Sequence, residues 1–401
     1  MTTTKGKTTP EKAKNNQTIP EFITQNKTPN EKLIPALEKL LPSSLPVLRR
    51  IQYDCAHPRE TAHYVVSANL ISGNGEKVDE PWIAAYVDLF AGRETQAWVY
   101  SSLEAEVLPA DDDDDGEKNI SDFSAVSQNR LNIAREQFWN LLQFIHRNLM
   151  PAYLSHLSEV DDKLNRREEE GNNVEPKVKV IAKHKAPAIL LGSLHTGLMK
   201  LLLANDNDSY TSANFKSGLK VHRYDTSPYV KYIFPSKVFQ TSDGQSNALP
   251  QGYYFGRNGL LPEHVELVKS RTHIPRERKT LLNMPSVVIY YNGSSSFSSA
   301  TESPPSASPI AWGFLAFDGS LATLHVEPEH RGKGLAIALS KEVMRRGMAT
   351  GFYGSPEAAD LSYAHADVAE SNAASRRVME KLGGRGWRWS ITWAVVEVLD
   401  S

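Results

Sequence analysis

The sequence predicts an α/β protein made of two mixed-sheet domains, and three observations carry that prediction. Its 401 residues are enough for two cores. Short apolar strand patterns alternate with amphipathic helix patterns along the chain. In the second half an apolar strand passes through a Gly-rich turn directly into a helix, Ala322-Thr-Leu-His-Val-Glu-Pro-Glu-His-Arg-Gly-Lys-Gly-Leu-Ala-Ile-Ala-Leu339. The expected division is a disordered tail over 1–30, a first domain over 31–240 without a phosphate-binding turn, and a second domain over 241–401 that carries one.

Residues 1–30 are rich in Thr, Lys, Asn and Gln and lack the apolar stretch of a secretory signal. They hold no Arg and contain Glu11 and Glu21, unlike a typical mitochondrial presequence, so a cytoplasmic address is expected. Glu31 to Leu41 has a short helical pattern. His63 to Ile71, Trp82 to Leu89 and Gln96 to Tyr100 read as strands, and Leu131 to Leu157 as a long amphipathic helix. A strand over Val178 to Ala182 is expected to lead to a helix near His195 to Leu203. The polar stretch Thr241 to Asn247 is the expected connector.

Beyond it come a strand (Tyr253 to Phe255), a helix (Pro262 to Ser270), a basic stretch with a helix through Leu282, and strands at Val287 to Tyr291, Ile310 to Phe317 and Leu321 to Val326. Pro328 stops the last of these. Leu335, Ala338, Leu339 and Val343 then recur at helical spacing. Tyr363 to Val368 reads as a strand, Ser371-Asn-Ala-Ala-Ser375 as the cap of a helix through Lys381, and Leu382-Gly-Gly384 as its end. Asp111 to Asp115, Asp161 to Pro176 and Gly293 to Pro309 are expected surface insertions.

The Gly-rich turn is a construction for binding anions. Gly332 and Gly334 permit backbone geometries that a Cβ would obstruct, and the first amides of the helix have no partner within it. Arg331 and Lys333 add positive charge. No Gly-Lys-Ser/Thr closes the turn, so it is not a nucleotide-triphosphate loop. An ordinary strand-to-helix connection with a basic first turn is the simpler alternative.

The spacing Arg331-x-x-Gly334-x-Ala336 resembles the pyrophosphate-binding motif of the GCN5-related N-acetyltransferases, and Asn372-x-x-Ser375 followed by Glu380-Lys-Leu-Gly383 resembles their second landmark. Leu249-Pro-Gln-Gly-Tyr253, Leu261 to Val268, Met284 to Ile289, Ile310-Ala-Trp-Gly313 and Tyr363-Ala-His-Ala-Asp367 are similar to the C-terminal half of the glycine N-acyltransferase, or FR47-like, family. Leu37-Glu-Lys-Leu-Leu41, Leu45-Pro-Val-Leu48, Ala85-Tyr-Val-Asp88 and Trp98-Val99 are similar to its N-terminal domain. The resemblance implies tandem acetyltransferase-like domains, the first degenerate and the second holding an acyl-CoA site. It further implies transfer of an acetyl or other acyl group to a primary amine, a small amine or amino acid, by direct attack in a ternary complex.

By that resemblance Arg331, Gly332, Lys333, Gly334, Leu335 and Ala336 hold the diphosphate. Asn372 and Ser375 meet the pantetheine arm, which should lie between the strand ending at Val326 and that holding His365. Backbone N–H groups around Leu324 to Val326 are the candidates for the thioester carbonyl. The family's carboxylate aligns with Ser320, so Asp318, His325 and Glu327 are the candidate bases. The usual tyrosine acid is Met379 here. His365 is a candidate replacement, with a structural role the stronger reading. An intact turn beside an altered base and acid also fits a non-catalytic acyl-CoA-binding or sensing protein.

The 45 basic and 47 acidic side chains give no global argument for a nucleic-acid or membrane partner, and no run is apolar enough to span a bilayer. Local basic residues, Arg271, Arg276, Arg278 and Lys279, could meet the 3′-phosphate of coenzyme A. Cys55, the single cysteine, excludes an intrachain disulfide and a multi-cysteine zinc site. No metal is expected, because neighbouring side chains of the aspartate run point apart. Monomer and homodimer both remain open.

Overall fold

A computed structural model of the chain describes residues 22–25, 31–72, 80–92, 94–107, 123–164, 184–203, 215–225, 229–240, 249–293, 308–354, 362–384 and 389–400. The first half contains strands β1 (Phe22–Gln25), β2 (His63–Ser67), β3 (Ile83–Val87), β4 (Ala97–Ser101), β5 (Ile189–His195), β6 (Leu219–Tyr224) and β7 (Tyr229–Pro235). Its helices are α1 (Leu33–Glu38), α2 (Leu45–Ala56), α3 (Ala68–Ser72), α4 (Leu103–Glu106), α5 (Gln128–Phe144), α6 (Met150–Leu164) and α7 (Thr196–Leu201). The second half contributes β8 (Tyr253–Phe255), α8 (Val265–Lys269), α9 (Arg278–Asn283), β9 (Ser286–Tyr291), β10 (Ala311–Leu315), β11 (Leu321–Val326), α10 (Leu335–Ala349), β12 (Tyr363–Ala369), α11 (Ala373–Lys381) and β13 (Trp389–Val398).

Strand alternation places a helical layer on each face of the sheets. In β3, Ile83, Ala85 and Val87 join the core beneath α5, α6 and α7, whereas Ala84 and Tyr86 join the one beneath α1 and α2. In the second half α10 and α11 cover one face. Leu260, Val265, Val268, Leu281 and Met284, in and around α8 and α9, cover Trp312 and Phe314 on the other.

One sheet runs β1-β2-β3-β4-β5-β13-β7-β12 with β6 beside β13, and a second runs β11-β10-β9-β8. The chain's last strand, β13, therefore lies against β5 of the first half, and β7 of the first half lies against β12 of the second. Strand pairing thus crosses the expected 240/241 division in both directions. A polar connector reports where a chain is exposed and not which sheet its flanking strands join.

Several sequence expectations need correction. Phe22–Gln25, within the expected disordered tail, pairs with β2. The strand expected over His63 to Ile71 stops at Ser67 and turns into α3. The expected long helix is α5 and α6, joined by a π turn at Ile145–Leu149. Strands β5, β6, β7 and β13 were not anticipated, and β5 ends at His195, where the helix was expected to start. The expected strand at 178–182, the connector at 241–247, the aspartate run and most of the other two insertions lie outside the described residues.

Candidate active site

The site begins at an irregularity in β11. Val326 and His325 pair with Ala311 and Trp312, but Ala322 pairs with Phe314, so Thr323 and Leu324 together face Gly313. Thr323 adopts φ +50°, a left-handed conformation that a β-branched residue rarely takes. The extra residue shifts the alternation by one. Leu321, Leu324 and Val326 all contact the α10 core, while His325 is delivered to the opposite face, under α8 and α9.

There the His325 ring stacks on Trp312, with centroids 4.5 Å apart and planes at 16°, and its Nε2 lies 3.5 Å from Glu327 Oε2. Burial pushes the imidazole below its ordinary value, and the Glu327 carboxylate pulls it part of the way back. Arg271, just beyond α8, donates its Nε–H to Glu327 at 3.1 Å. A base-competent imidazole, a carboxylate and a guanidinium therefore converge on one face. Arg271 and Arg276 both have carboxylate partners within the chain, Arg276 meeting Glu94 of the first half.

After β11 the chain turns through Gly332 and Gly334, at φ +77° and +78°, and α10 starts. The amides of Ile337 and Ala338 both reach the Gly334 carbonyl. Among the described residues, those of Gly332, Lys333, Gly334, Leu335 and Ala336 meet no acceptor. A Cβ built on either glycine would have nothing within 4 Å, so the space over these amides is open. Arg331 donates to the Val326 carbonyl, and Lys333 donates to the Tyr253 hydroxyl at 2.7 Å. The cradle of unpaired donors, open above, fits an anion of diphosphate type.

Among the described residues strand β11 is the edge of its sheet, and Ser320, just before it, meets β12 in parallel at the one bridge Ser320↔His365. From that vertex the two strands separate. The Glu327 amide bonds back to Ile310, so by alternation the amides of Leu324 and Val326 point outward from β10, into the opening. The N-termini of α10 and α11 lie at the same end of the cleft, because each follows a parallel strand. Asn372 caps α11, its side-chain oxygen accepting from the Ser375 amide at 3.1 Å.

The remaining sequence candidates lie elsewhere. Asp318 is buried and caps the β10–β11 turn, accepting from the Ser320 amide and hydroxyl and from Trp98 Nε1. Met379 packs in the α10 core. His365 is fully buried at the vertex, its Nε2 2.9 Å from the Asp318 carbonyl. Sequence reasoning missed Arg271 as the partner of Glu327, Trp312 as the support of His325, and the bulge itself. The one available signal was Thr323-Leu324, which breaks the apolar alternation.

Among the described residues no cluster could hold a metal ion, and no helix is long and apolar enough to cross a membrane. A family model for the acyl-CoA N-acyltransferase verG N-terminal domain matches residues 18–232, and one for FR47-like protein matches residues 306–394. No curated protein matches the chain. Among solved structures, a Drosophila protein is similar at 13% identity and TM-score 0.46, covering 91% of this chain and 96% of its own. A tandem GNAT protein from the clavulanic acid biosynthesis pathway is similar at 11% and 0.38, covering 95% and 99%. A GCN5-related N-acetyltransferase from Sphaerobacter thermophilus stands at 13% and 0.32, covering 94% of each.

Proposed function

The chain belongs to the acyl-CoA N-acyltransferase family that carries the verG N-terminal domain and an FR47-like domain, and on that premise we propose that it transfers an acetyl or other acyl group from acyl-CoA to a primary amine. The observation that carries this reading is the run of five acceptor-less amides at the end of a strand that splays from its neighbour. Acyl-CoA supplies the acyl group as a thioester, whose thiolate leaves readily.

Each group in the chain then has a part. Gly332 to Ala336 hold the diphosphate, with Arg331 and Lys333 at its rim, and Asn372 and Ser375 flank the pantetheine arm. The outward amides of Leu324 and Val326 stabilise the carbonyl oxygen as it gains charge. His325 takes the proton of the attacking amine, and Glu327, steadied by Arg271, supports the imidazolium. The amine approaches from the α8 and α9 face, where a small amine or amino acid is the acceptor class this reading favours. Asp318, already accepting from Ser320 and Trp98, is not needed as the base in this reading. The absence of a tyrosine at Met379 favours a second reading, an acyl-CoA-binding protein without turnover.

Isothermal titration with acetyl-CoA tests the site, and thiol release with a panel of amines tests turnover. Wild-type binding in the micromolar range, lost in Gly334→Val, is expected. That variant introduces a branched side chain into the open cradle at a left-handed position. Unchanged affinity in the variant would remove the turn from the site. Binding without thiol release for any amine would favour the second reading.

A further inference from the structure

The vertex of the cleft is built from both halves of the chain. Lys231 on β7 stands directly opposite Asp367 on β12, and its ammonium donates to Asp367 Oδ1 at 2.6 Å and to Ser193 Oγ at 2.8 Å and lies 3.3 Å from His365 Nδ1. Ser193, at φ +51° in β5, donates to the other Asp367 oxygen. The side chains of Lys231, Asp367 and His365 are 1%, 6% and 0% exposed. Burial pushes Asp367 up, but Lys231 and His365 outweigh it and hold the carboxyl well below its usual range.

The partners place a proton on Nε2 of His365. A carbonyl only accepts, so Nε2, 2.9 Å from the Asp318 carbonyl, is the donor. Nδ1 faces both the Lys231 ammonium, at 3.3 Å, and Asp367 Oδ1, at 3.5 Å. His365 is thereby joined on one side to the turn that starts β11 and on the other to a strand of the first half. Its backbone forms the one bridge between β11 and β12 among the described residues.

Building on the acyl-CoA reading, we propose that His365, held by Lys231, Asp367 and Ser193, is a positioning residue: it pins the vertex and thereby sets the opening between β11 and β12 that receives the pantetheine arm. Six residue steps separate Ser320 from Val326, about 20 Å of strand. A tilt of about 3° at the vertex therefore moves the far end by about 1 Å, enough to misplace a thioester against its outward amides. None of the four side chains touches the reacting atoms, so their effect falls on acyl-CoA rather than on the amine.

The test compares wild type, His365→Leu and His365→Gln by titration with acetyl-CoA. Leu141→Ala, a core truncation far from the cleft, serves as the control for general destabilisation. His365→Leu keeps the volume and loses both hydrogen bonds, and at least a tenfold rise in Kd is expected. His365→Gln keeps a donor and an acceptor and is expected to stay within about threefold of wild type. The control is expected to bind normally. Where a variant turns over, KM for acyl-CoA should rise while KM for the amine holds. A folded His365→Leu with wild-type affinity, or a control that weakens as much, overturns the pin. Wild type that binds no acyl-CoA overturns the functional reading instead. If His365→Leu does not fold, the histidine ring ¹⁵N spectrum of the wild type decides: a ring carrying the Nε2–H supports the pin, and a ring protonated at Nδ1 alone overturns it.

Discussion

At the scale of residues, the chemistry turns on how burial sets proton affinity. His325 lies below its ordinary value, so with His325 as the proposed base kcat/KM should fall only on the acid side of the usual imidazole range. His325→Gln is expected to lower kcat by about a hundredfold and to abolish that acid limb. Glu327→Gln should cost less and move the limb further toward acid, because the carboxylate raises the imidazole. Rates and pH profiles unchanged in both variants would place the base elsewhere. A second buried group acts on stability. Glu104 is pushed up to about 8, chiefly by burial, against the Ser101 amide that donates to it and the Lys231 charge. Below about pH 4.5 the carboxyl is protonated folded or unfolded. From there to pH 8 only the unfolded chain releases the proton, so stability falls as pH rises, by on the order of 5 kcal/mol, and then levels. Glu104→Gln should unfold at a higher temperature than wild type at pH 8 and show a flatter pH dependence in calorimetry. Identical melting curves across pH 5 to 8 would exclude an elevated Glu104.

Among the elements, those whose signals are local were legible. The Leu321–Val326 strand, the glycine turn, the Asn372 cap and the Gly383 stop, at φ +83°, all stand where the sequence places them, because each rests on neighbours within a few residues. The bulge was not legible. Its cause is the register against β10 and the demand that Leu324 reach α10, neither of which is written in the strand's own residues. The same limit hid the partners of the candidate base. His325 and Glu327 could be named from the sequence, but Arg271 lies 56 residues upstream of Glu327, and only the packing of α8 across the sheet brings it there. Asp318 shows the converse. Two positions from the family's carboxylate it is a candidate by sequence, and the structure adds that its Oδ1 accepts from the amide and hydroxyl of Ser320 in the same turn.

For the whole molecule, the exchange of β7 and β13 makes the two halves one folding unit. Without β13, β5 and β7 would each expose an unpaired edge, and without β7, β12 would lose its antiparallel partner. Residues 1–240 and 249–401 expressed separately should each be insoluble or unfolded, whereas co-expression should return a complex that melts in a single transition near the intact protein. A soluble fragment with its own cooperative melt would contradict this. The sequence by itself determined that the chain is α/β, that a glycine-rich turn follows a strand in the second half and opens a helix, and which residues line that turn, since strand period, glycine conformation and helix capping act over a few residues. Only the tertiary structure decided which sheet receives β7 and β13, which polar side chains are partnered and which stay free for chemistry, and how the first half reaches the cleft. A charged or imidazole side chain takes its role from its surroundings, and the groups around Lys231, Asp367 and His365 come together from segments more than a hundred residues apart.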